Sequence, residues 1–576
     1  MAVEQLITQH IDTWTSALRT RSTAGRGTSG KIDPYGIKKL RELILELAVR
    51  GKLVPQDPND EPASELLKRI AAEQAKLVKQ GKIKKQKPLR EISEDDKPFE
   101  LPEGWEWARI AEVGHDWGQK TPDCEFTYID VGSINKELGI IQEPETLLAK
   151  DAPSRAKKIV KKGTVIYSTV RPYLLNIAII EQEFSPEPIA STAFAIIHPF
   201  AGMFSNYIYY YLRSPTFIKY VEGCQTGIAY PAINDKQFFT GLIAIPPSGE
   251  QDLIVNKVGE LMSLCDQLEQ QSLTSLDAHQ QLVETLLSTL TDSQNTEELA
   301  ENWVRISHHF DTLFTTEASI DALKQTILQL AVMGKLVPQD PNDEPAYELL
   351  KRIEQEKAQL VKEGKIKKQK PLPPVSDKEK PFELPKGWEW CRIAELGICS
   401  TGKTPSTSNS SYYSGKIPFL GPGDITPDGC ISIGEKFVSV DGAEKSTIAY
   451  KNDILTVCIG GSIGKCGIVK ELVVFNQQIN CISPIVVRPD YIFYSFNTGA
   501  FLEKLISEAT GSATPIINRG RWEMLLISLP PEKEMVRIIN KAKQLLVTCD
   551  LIKSRLQLAQ QTQLHLADAL TDAALN

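Results

Sequence analysis

Long apolar runs are missing from the sequence. No stretch of 18 or more apolar residues occurs among its 576 residues, so no membrane-spanning helix is predicted. The first residues, MAVEQLITQHIDTW, do not combine a basic segment with an apolar one, as a secretory signal does. We therefore expect a cytoplasmic protein.

Cysteine and histidine patterns are also missing. The ten cysteines include no C-x-x-C pair, and the seven histidines form neither an H-E-x-x-H motif nor a Cys/His knuckle. A disulfide framework is excluded for a chain of this length, and no metal site is indicated, although distant residues could assemble one. The simplest interpretation is that reduced thiols are packed in the cores.

Motifs of common enzymes are likewise missing. The sequence contains no [DNS]-P-P-[FYW] methyltransferase motif, no G-x-S-x-G elbow and no paired carboxylate motif. Hydrophobic content of 41% and charged content of 24% are those of a folded, soluble chain. These observations favour a binding protein over an enzyme.

Positive charge is not in excess overall. The sequence has 65 Lys and Arg against 73 Asp and Glu, a net charge of -8, which alone argues weakly against nucleic acid. The acids are concentrated in residues 258–304, which carry nine of them and no Lys or Arg. Outside that segment the balance is 65 to 64, and residues 155–171 carry six bases and no acid. Such runs are usually solvated faces, but they also suit DNA.

The sequence is written twice. Residues 51–89 match residues 334–372 at 33 of 39 positions, and the match continues from KPFELPEGWEWARIAEVG (97–114) to KPFELPKGWEWCRIAELG (380–397). A closing block with the pattern T-G…P…I-N…I-x-x-P-P ends each half. Between these blocks the halves share little, which is the pattern of one scaffold that carries two different readers.

Each closing block is followed by a pattern with a period of 3.5 residues. In the second half it takes in Leu545, Cys549, Ile552, Leu556, Ala559, Gln563, Leu566 and Leu570, which indicates a heptad seam. The first copy is four residues longer before its matching Leu-Thr-Asp. The two helices either pack on each other or pack on their own domains, and we favour the first.

The divergent central regions are predicted to be mixed α/β. Apolar runs rich in β-branched residues predict strands within 163–170, 174–180, 191–199 and 453–460. Tyr207–Tyr220 and Tyr491–Ile506 are predicted to be helical, and the Lys- and Pro-rich segments 83–97 and 366–380 are predicted to be exposed linkers.

One segment matches a phosphate-binding motif. Gly397–Thr404 satisfies G-x-x-x-x-G-K-[ST], but a P-loop needs a helix directly afterwards, and Pro405–Ser411 has the composition of a loop. Its counterpart in the first half, residues 114–121, keeps Lys-Thr-Pro without the second glycine. Contacts with a nucleic-acid backbone explain the shared residues better than ATP does.

Basic and polar side chains in the variable loops are the candidate DNA contacts. Cations neutralise phosphates, Asn and Gln suit adenine edges, and Arg suits guanine. The candidates of the first half are Lys120, Thr121, Lys157, Lys158, Lys161, Lys162, Ser168, Thr169, Arg171 and Tyr173. Those of the second half are Lys403, Thr404, Asn409, Tyr412, Ser462, Lys465, Asn476, Gln477, Gln478, Arg519 and Arg521.

Taken in order, these motifs resemble the specificity subunit of type I restriction–modification enzymes over nearly the whole chain. The signs are E-L-P-x-G-W-x-W at 100–107 and 383–390, T-G-K-T-P at 401–405, S-T-V-R-P-Y-L at 168–174, and the two closing blocks. The resemblance implies two α/β target-recognition domains that each read half of a split DNA sequence. It also implies an antiparallel coiled coil that spaces them, so that the four extra residues within 269–289 become a candidate ruler.

The resemblance further implies partners and a division of labour. Two modification subunits would bind S-adenosylmethionine and methylate adenine, two restriction subunits would use ATP and Mg²⁺, and this chain would carry no cofactor and no catalysis. The acidic segment 258–304 would face protein partners. A coiled-coil scaffold and a P-loop nucleotide-binding protein are the alternatives.

The expected organisation has five parts. They are an N-terminal helical arm and basic linker (1–97), target-recognition domain 1 (98–248), central helices and basic linker (249–380), target-recognition domain 2 (381–531), and a C-terminal helix (532–576).

Overall fold

The computed structural model describes residues 3–21, 31–85, 88–227, 230–511 and 514–575. The chain divides into two compact units, each built from separate segments. Unit 1 comprises Met1–Thr20, Ile32–Leu273 and Gln560–Asn576, and unit 2 comprises Arg21–Lys31 and Thr274–Ala559. No helix within the described ranges is long and apolar enough to cross a membrane.

The first half of the chain contains nine helices and fourteen strands among the described residues. The helices are α1 (Val3–Gln9), α2 (Ile11–Ser16), α3 (Tyr35–Val49), α4 (Ala63–Lys79), α5 (Ile110–Val113), α6 (Ser205–Leu212), α7 (Pro215–Cys224), α8 (Asp235–Thr240) and α9 (Ser248–Asp292). The strands are β1 (Arg19–Arg21), β2 (Lys31–Asp33), β3 (Glu106–Arg109), β4 (Gly114–His115), β5 (Phe126–Ile129), β6 (Ile134–Asn135), β7 (Ile140–Ile141), β8 (Glu145–Leu147), β9 (Ala156–Ile159), β10 (Val165–Ser168), β11 (Ile177–Ile179), β12 (Pro188–Ser191), β13 (Phe194–Pro199) and β14 (Leu242–Ile245).

The second half adds ten helices and ten strands within the part of the chain that the structure describes. The helices are α10 (Thr296–His308), α11 (Phe310–Leu313), α12 (Glu317–Val332), α13 (Ala346–Lys362), α14 (Ile393–Leu396), α15 (Val440–Glu444), α16 (Pro489–Phe496), α17 (Gly499–Ser507), α18 (Arg519–Trp522) and α19 (Glu532–Leu575). The strands are β15 (Glu389–Arg392), β16 (Gly397–Thr401), β17 (Ile417–Leu420), β18 (Phe437–Val438), β19 (Thr447–Ala449), β20 (Ile454–Val457), β21 (Cys466–Ile468), β22 (Val473–Phe475), β23 (Ile479–Pro484) and β24 (Leu526–Leu529).

In unit 1 two sheets pack against each other and against helices. A six-stranded sheet has the order β4-β13-β10-β11-β7-β6, and a four-stranded sheet has the order β8-β5-β12-β9. Successive residues of β10 face opposite sides, as the period of a strand requires. Ile166 belongs to the core shared with the second sheet, whereas Val165 and Tyr167 belong to the core shared with α6 and α7. The mixed α/β prediction is confirmed.

Unit 2 repeats this plan. Its central region has two four-stranded sheets, ordered β16-β23-β20-β21 and β18-β17-β22-β19. Ile454 of β20 faces the helices, and Leu455 and Val457 face the second sheet. The strands predicted within 163–170, 174–180, 191–199 and 453–460 are found as β10, β11, β13 and β20.

The duplicated frame explains the G-W-x-W motif. Trp105 donates its indole N–H to Glu250 at 2.9 Å, and Trp388 donates to Glu534 at 3.1 Å, all within buried surroundings.

Gly51 ends α3 in a left-handed conformation (φ +66°), and a Cβ there would lie 2.6 Å from Pro102. The glycine is therefore required by both its backbone angle and its close packing.

Two predicted helices are each broken in the middle. Tyr207–Tyr220 is split into α6 and α7, because Pro215 cannot continue the first helix and Ser214 caps the second through Phe217 N–H. Tyr491–Ile506 is split into α16 and α17, where Thr498 accepts from Phe501 N–H. Sequence period alone did not reveal these caps. The predicted linker at 83–97 is described except for residues 86–87, which lie outside the described residues.

The long helices α9 and α19 contribute to the cores of both units. In unit 1 Leu261 and Cys265 of α9 share a core with Ala567 of α19. In unit 2 Val283 of α9 shares a core with Cys549 of α19. This order of paired segments is that of antiparallel helices. Each core also includes a shorter helix, α3 in unit 1 and α12 in unit 2.

The predicted seam of α19 shifts by one residue along its length. Cys549 is buried as expected, but Leu566 is 43% exposed and Ala567 is fully buried. A helix with 3.6 residues per turn drifts from a strict 3.5-residue repeat, so the inward face moves to the following residue after about two heptads. The heptad pattern predicts that Ala559 and Leu566 lie in the buried seam. This prediction is wrong for both residues, because both are exposed.

Candidate nucleic-acid interface

In each half one loop after a central strand is tied to the closing block. After β10, Arg171 N–H donates to Pro231 C=O at 2.8 Å. After β20, Gly460 N–H donates to Pro515 C=O at 2.8 Å. The closing block therefore holds this loop at the same place in both halves. Residues 228–229 and 512–513 of the closing blocks lie outside the described residues.

Arg171 adopts a conformation that its counterpart leaves to glycine. Its φ is +49°, in the left-handed region, and Gly460 has φ +69° at the matching position. A non-glycine residue in this region costs about 1–2 kcal/mol. The Arg171 guanidinium lies 4.7 Å from the ring centroid of Tyr230, which is 68% exposed. Strain of this kind accumulates at functional sites, so the retained arginine side chain is the main candidate at this loop.

Three predicted contact residues are buried and serve the fold. Lys158 is 5% exposed and donates to Phe194 C=O at 2.7 Å and to the Asp235 carboxylate at 2.9 Å. Ser168 and Thr169 are also buried, and their hydroxyls donate to backbone carbonyls at 2.9 Å. Their side chains already form hydrogen bonds within the fold, so we do not propose them as DNA contacts.

The basic segment does not surround the loop as a single patch. Lys161 and Lys162 precede β10, whereas Arg171 follows it. The four residues of β10 separate the two groups by roughly 13 Å. Lys161 lies 3.9 Å from the ring centroid of Trp117 and is exposed, as are Lys157 and Lys162.

The remaining predicted residues of the first half are one lysine that forms ion pairs and two uncharged side chains. Lys120 pairs with Glu187 at 2.9 Å and with Asp123 at 3.1 Å, and these bonds raise the pKa of its ammonium above the ordinary value. Its charge is thus already balanced by carboxylates. Thr121 and Tyr173 carry no charge and are exposed.

His198 lies beside this basic group without adding to its charge. Burial, His115 and Lys161 lower its pKa to about 4, so the ring is neutral at physiological pH. Its Nδ1 lies 3.0 Å from the Thr164 hydroxyl. The exposed lysines, not this histidine, supply positive potential here.

In the second half, five predicted residues meet at one end of the sheets. The Thr404 hydroxyl donates to the Gln477 side-chain oxygen at 2.7 Å. Asn476 donates its amide N–H to Gln478 at 3.2 Å, and Lys403 N–H donates to the Phe475 carbonyl at 3.0 Å. The turn 476–478 therefore presents amides that are held in place by their neighbours.

Four predicted residues of the second half lie on nearby loops. Ser462 and Lys465 belong to the loop after β20, and Asn409 and Tyr412 belong to the loop after β16. The Asn409 carbonyl oxygen caps a short turn by accepting from Ser411 N–H at 3.2 Å. The side-chain amide nitrogen of Asn409 forms no bond with the residues that the structure describes, so it can still act as a donor.

Arg519 and Arg521 lie on α18, within the closing block of the second half. Arg519 pairs with Glu523 at 2.9 Å. Arg521 donates from its guanidinium to Glu508 C=O at 3.1 Å and lines a cavity against α17. Both guanidiniums therefore have partners within the fold.

Gly397–Thr404 does not form a phosphate cradle. Gly397–Thr401 is strand β16, and no helix follows it. Gly402 N–H donates to Ile479 C=O at 3.0 Å and Lys403 N–H donates to Phe475 C=O at 3.0 Å, so both amides are used within the fold. A P-loop needs these amides free for phosphate.

We expect the isolated chain to show no saturable binding of ATP at millimolar concentration, with or without Mg²⁺. A titration with a fluorescent ATP analogue measures this. Saturable binding that is lost in Lys403→Ala, with the fold intact by circular dichroism, would contradict the assignment of this segment to strand and turn.

Two aromatic residues of this surface were not among the contacts predicted from the sequence. Tyr230 stacks with Arg171, and Trp117 underlies Lys161. The usable signal for Tyr230 was an aromatic residue inside the closing block, where the second half has Thr514, since base contacts often use aromatic rings beside cations. Among the described residues no cluster of three or more His, Cys, Asp or Glu side chains could hold a metal ion.

Comparison with known proteins identifies the family of the chain. A family model described as the type I restriction modification DNA specificity domain matches residues 385–561. The EcoAI specificity subunit of a type I restriction enzyme of Escherichia coli is 50% identical over 100% of both chains, and the EcoEI specificity subunit of Escherichia coli is 49% identical over 100% of both. A solved structure described for complex assembly and conformational transition of the type I R-M system has a TM-score of 0.53 at 22% identity, covering 83% of this chain and 99% of that one. The chain therefore belongs to the specificity subunits of type I restriction–modification enzymes, and its function is recognition of a DNA target.

Proposed function

We propose that each half of this chain reads one part of a two-part DNA sequence, at the loop after β10 in the first half and at the turn 476–478, between β22 and β23, in the second. The observation that carries the proposal is Arg171. It holds a left-handed backbone where its counterpart is Gly460, so its side chain has been kept at a conformational cost. A guanidinium is suited to the O6 and N7 atoms of guanine in the major groove.

The second half is proposed to read bases with amides. Asn476, Gln477 and Gln478 form one turn, and Thr404 orients the side chain of Gln477. Asn and Gln can bond both N6 and N7 of adenine. The two halves thus present different chemistry on one repeated scaffold, which supports two different half-sites.

The exposed cations around these loops are proposed to contact phosphates. In the first half these are Lys157, Lys161 and Lys162, and in the second half Lys403; the partly buried Lys465 is proposed to join them. Phosphate contacts set register and orientation without reading sequence. Thr121 and Tyr173 are proposed to join them in the first half, and Ser462, Asn409 and Tyr412 in the second.

The proposed assembly contains two modification subunits and two restriction subunits, in the cytoplasm. Those partners would supply the chemistry with S-adenosylmethionine, ATP and Mg²⁺, and this chain would supply recognition without catalysis. Support comes from the full-length similarity to specificity subunits of restriction enzymes. Within this scheme the recognition domains span 98–248 and 381–531, and the helical parts are 1–97, 249–380 and 532–576.

The helices α9 and α19 are proposed to set the spacer between the half-sites. From their first residues, Ser248 and Glu532, the distance to the matching Leu-Thr-Asp is four residues greater in α9. Four residues of helix amount to about 6 Å, or one turn. This excess is the candidate ruler element.

Replacing residues 115–225 with the same region of a homologous specificity subunit is expected to change one half of the methylated sequence and leave the other half and the spacer intact. The reason is that these residues form the first reader, whereas the frame is built from the repeated blocks. Methylome sequencing of cells that express the chain with its modification subunits measures both halves at once. A matched exchange of 398–509 should change the other half. Changes in both halves after either exchange would contradict the proposal.

A further inference from the structure

Unit 2 contains a cavity of about 420 Å³ whose lining includes none of the residues proposed above to contact DNA. Its walls come from α12, α16, α17 and β24, and most of them are apolar, with contributions from Val332, Phe382, Trp390, Phe501 and Leu526. The rings of Phe382 and Trp390 have centroids 5.0 Å apart. A volume of this size is within the range of small-molecule sites, which are typically apolar with a few convergent polar groups.

In the first half the chain fills the matching place with its own tyrosine. Tyr211 of α6 is 1% exposed, and its ring centroid lies 6.0 Å from that of Phe217. Its hydroxyl interacts with the backbone of Ala244, whose counterpart Ser528 lines the cavity of unit 2. The counterpart of Tyr211 is Ser495, which lines the same cavity and leaves the volume of a phenol ring unfilled.

A second difference removes the bond that closes the first half. Glu46 of α3 accepts from the Thr216 hydroxyl at 2.5 Å and from Thr216 N–H at 3.0 Å, and Arg50 donates to it at 2.7 Å. The counterparts of Glu46 and Thr216 are Gln329 and Ala500, which both line the cavity. The amide of Gln329 has no side-chain hydrogen bond with any residue that the structure describes. The second half therefore lacks both the phenol ring of Tyr211 and the hydrogen bonds between Glu46 and Thr216.

The charged groups at the cavity comprise three cations and two carboxylates. Lys504 pairs with Glu508 at 2.7 Å, and Arg392 pairs with Glu379 at 3.0 Å. Arg521 donates only to the backbone of Glu508 and has no carboxylate partner among the described residues. One positive charge therefore remains unbalanced, and it lies on an exposed side chain at the cavity.

We propose that this cavity is a binding site for a small aromatic molecule that carries an anionic group. Its ring takes the place that the Tyr211 phenol occupies in the first half, with the Gln329 amide as a polar partner. Its anionic group pairs with Arg521. Apolar cavities in proteins can bind a ligand of the size of a benzene ring. The occupant bridges α12 and α17, as Glu46 and Thr216 bridge α3 and α7, so the site makes unit 2 responsive to a ligand.

The test is calorimetric titration of the full-length chain with 4-hydroxyphenylacetate and, separately, with p-cresol, which has the same ring without the charge. Both probes are expected to bind at one site per chain. Ser495→Tyr fills the space with the side chain used in the first half and is expected to abolish binding of both. Arg521→Gln is expected to weaken 4-hydroxyphenylacetate by about two- to fivefold, the value of an exposed ion pair, and to leave p-cresol unchanged.

Two further variants keep the test decisive. Tyr211→Ser is expected to open the matching place in the first half and raise the number of p-cresol sites from one to two. Ala500→Leu intrudes less than Ser495→Tyr and is expected to weaken both probes about 5- to 100-fold. The proposal is overturned if neither probe binds the wild-type chain at millimolar concentration. It is also overturned if folded Ser495→Tyr or Ala500→Leu binds both probes as the wild type does.

Discussion

Arg171→Gly is expected to weaken binding of the assembled complex to its own target by about 10- to 100-fold, because a bidentate contact between arginine and guanine contributes about 1–3 kcal/mol of discrimination. The loss should be confined to one half-site. Stability should not fall, since glycine removes a left-handed strain of about 1–2 kcal/mol and adds a flexibility cost of about 0.5–1 kcal/mol. Fluorescence anisotropy on oligonucleotides with either half-site altered measures the first effect, and thermal unfolding measures the second.

Two controls separate base reading from charge. Arg171→Lys keeps the charge but loses the planar fork, so discrimination should still be lost. Lys162→Ala removes a proposed phosphate contact, so it should weaken binding equally on all sequences and reduce the salt dependence by about one ion. An Arg171→Gly complex that still rejects substitutions in both half-sites would remove Arg171 from the reader.

Glu250→Gln is expected to stabilise the chain more at pH 8 than at pH 4. The change that it causes in the free energy of unfolding should be about 3 kcal/mol more favourable at pH 8. Glu250 is 2% exposed, accepts from Trp105 with one oxygen, and its other oxygen has no partner in the described part of the chain. Burial is the main cause that raises the pKa of Glu250 to about 7 from 4.5. Each pKa unit corresponds to about 1.4 kcal/mol. Glutamine keeps the acceptor for Trp105 and carries no charge.

The pH window follows from proton binding. Between pH 4.5 and 7 the folded chain holds the Glu250 proton and the unfolded chain does not, so this group lowers stability as the pH rises through that range. Below pH 4.5 and above pH 7 its contribution is constant. Thermal unfolding of wild type and Glu250→Gln from pH 4 to pH 8 tests this. Equal shifts at both ends of the range would contradict the raised pKa.

Glu534→Gln is the matched control in the second half. Glu534 accepts from Trp388 and also from Gln339 at 3.2 Å, and Arg537 lies nearby, so its charged form has more support although burial still raises its pKa. The first half offers less, because Gln56 donates to Gly51 C=O alone, whereas Gln339 donates to both Gly334 C=O and Glu534, and Leu253 stands in place of Arg537. A smaller pH-dependent effect is therefore expected for Glu534→Gln.

The repeat and the strands could be predicted from the sequence because both are local or self-matching patterns. The strands β10 and β20 are short runs of β-branched residues, and 33 of 39 identities need no knowledge of contacts. Helix ends were harder, since Ser214 and Thr498 act as caps inside apolar stretches. The drift of the α19 seam to Ala567 depends on which neighbours pack there, and those neighbours are distant in the sequence.

The candidate site was predictable by residue type and not by exposure. Ser168, Thr169 and Lys158 have the chemistry of DNA contacts, but their partners Val170, Ala193, Phe194 and Asp235 are supplied by the folded chain. Conversely, Arg171 stood out only after its φ could be compared with that of Gly460. A backbone angle of this kind is set by the closing block, which lies about 60 residues further along the chain.

The contribution of residues 560–576 to unit 1 has a consequence for synthesis on the ribosome. Unit 1 includes residues 560–576, and Ala567 is part of its core. Domains generally fold as they emerge, N-terminal first, but this one cannot complete its core until Ala567 has left the ribosome, long after its other segments. A nascent or prematurely terminated chain therefore lacks part of the scaffold of its first reader, so a truncated product is a poor competitor of the complete subunit.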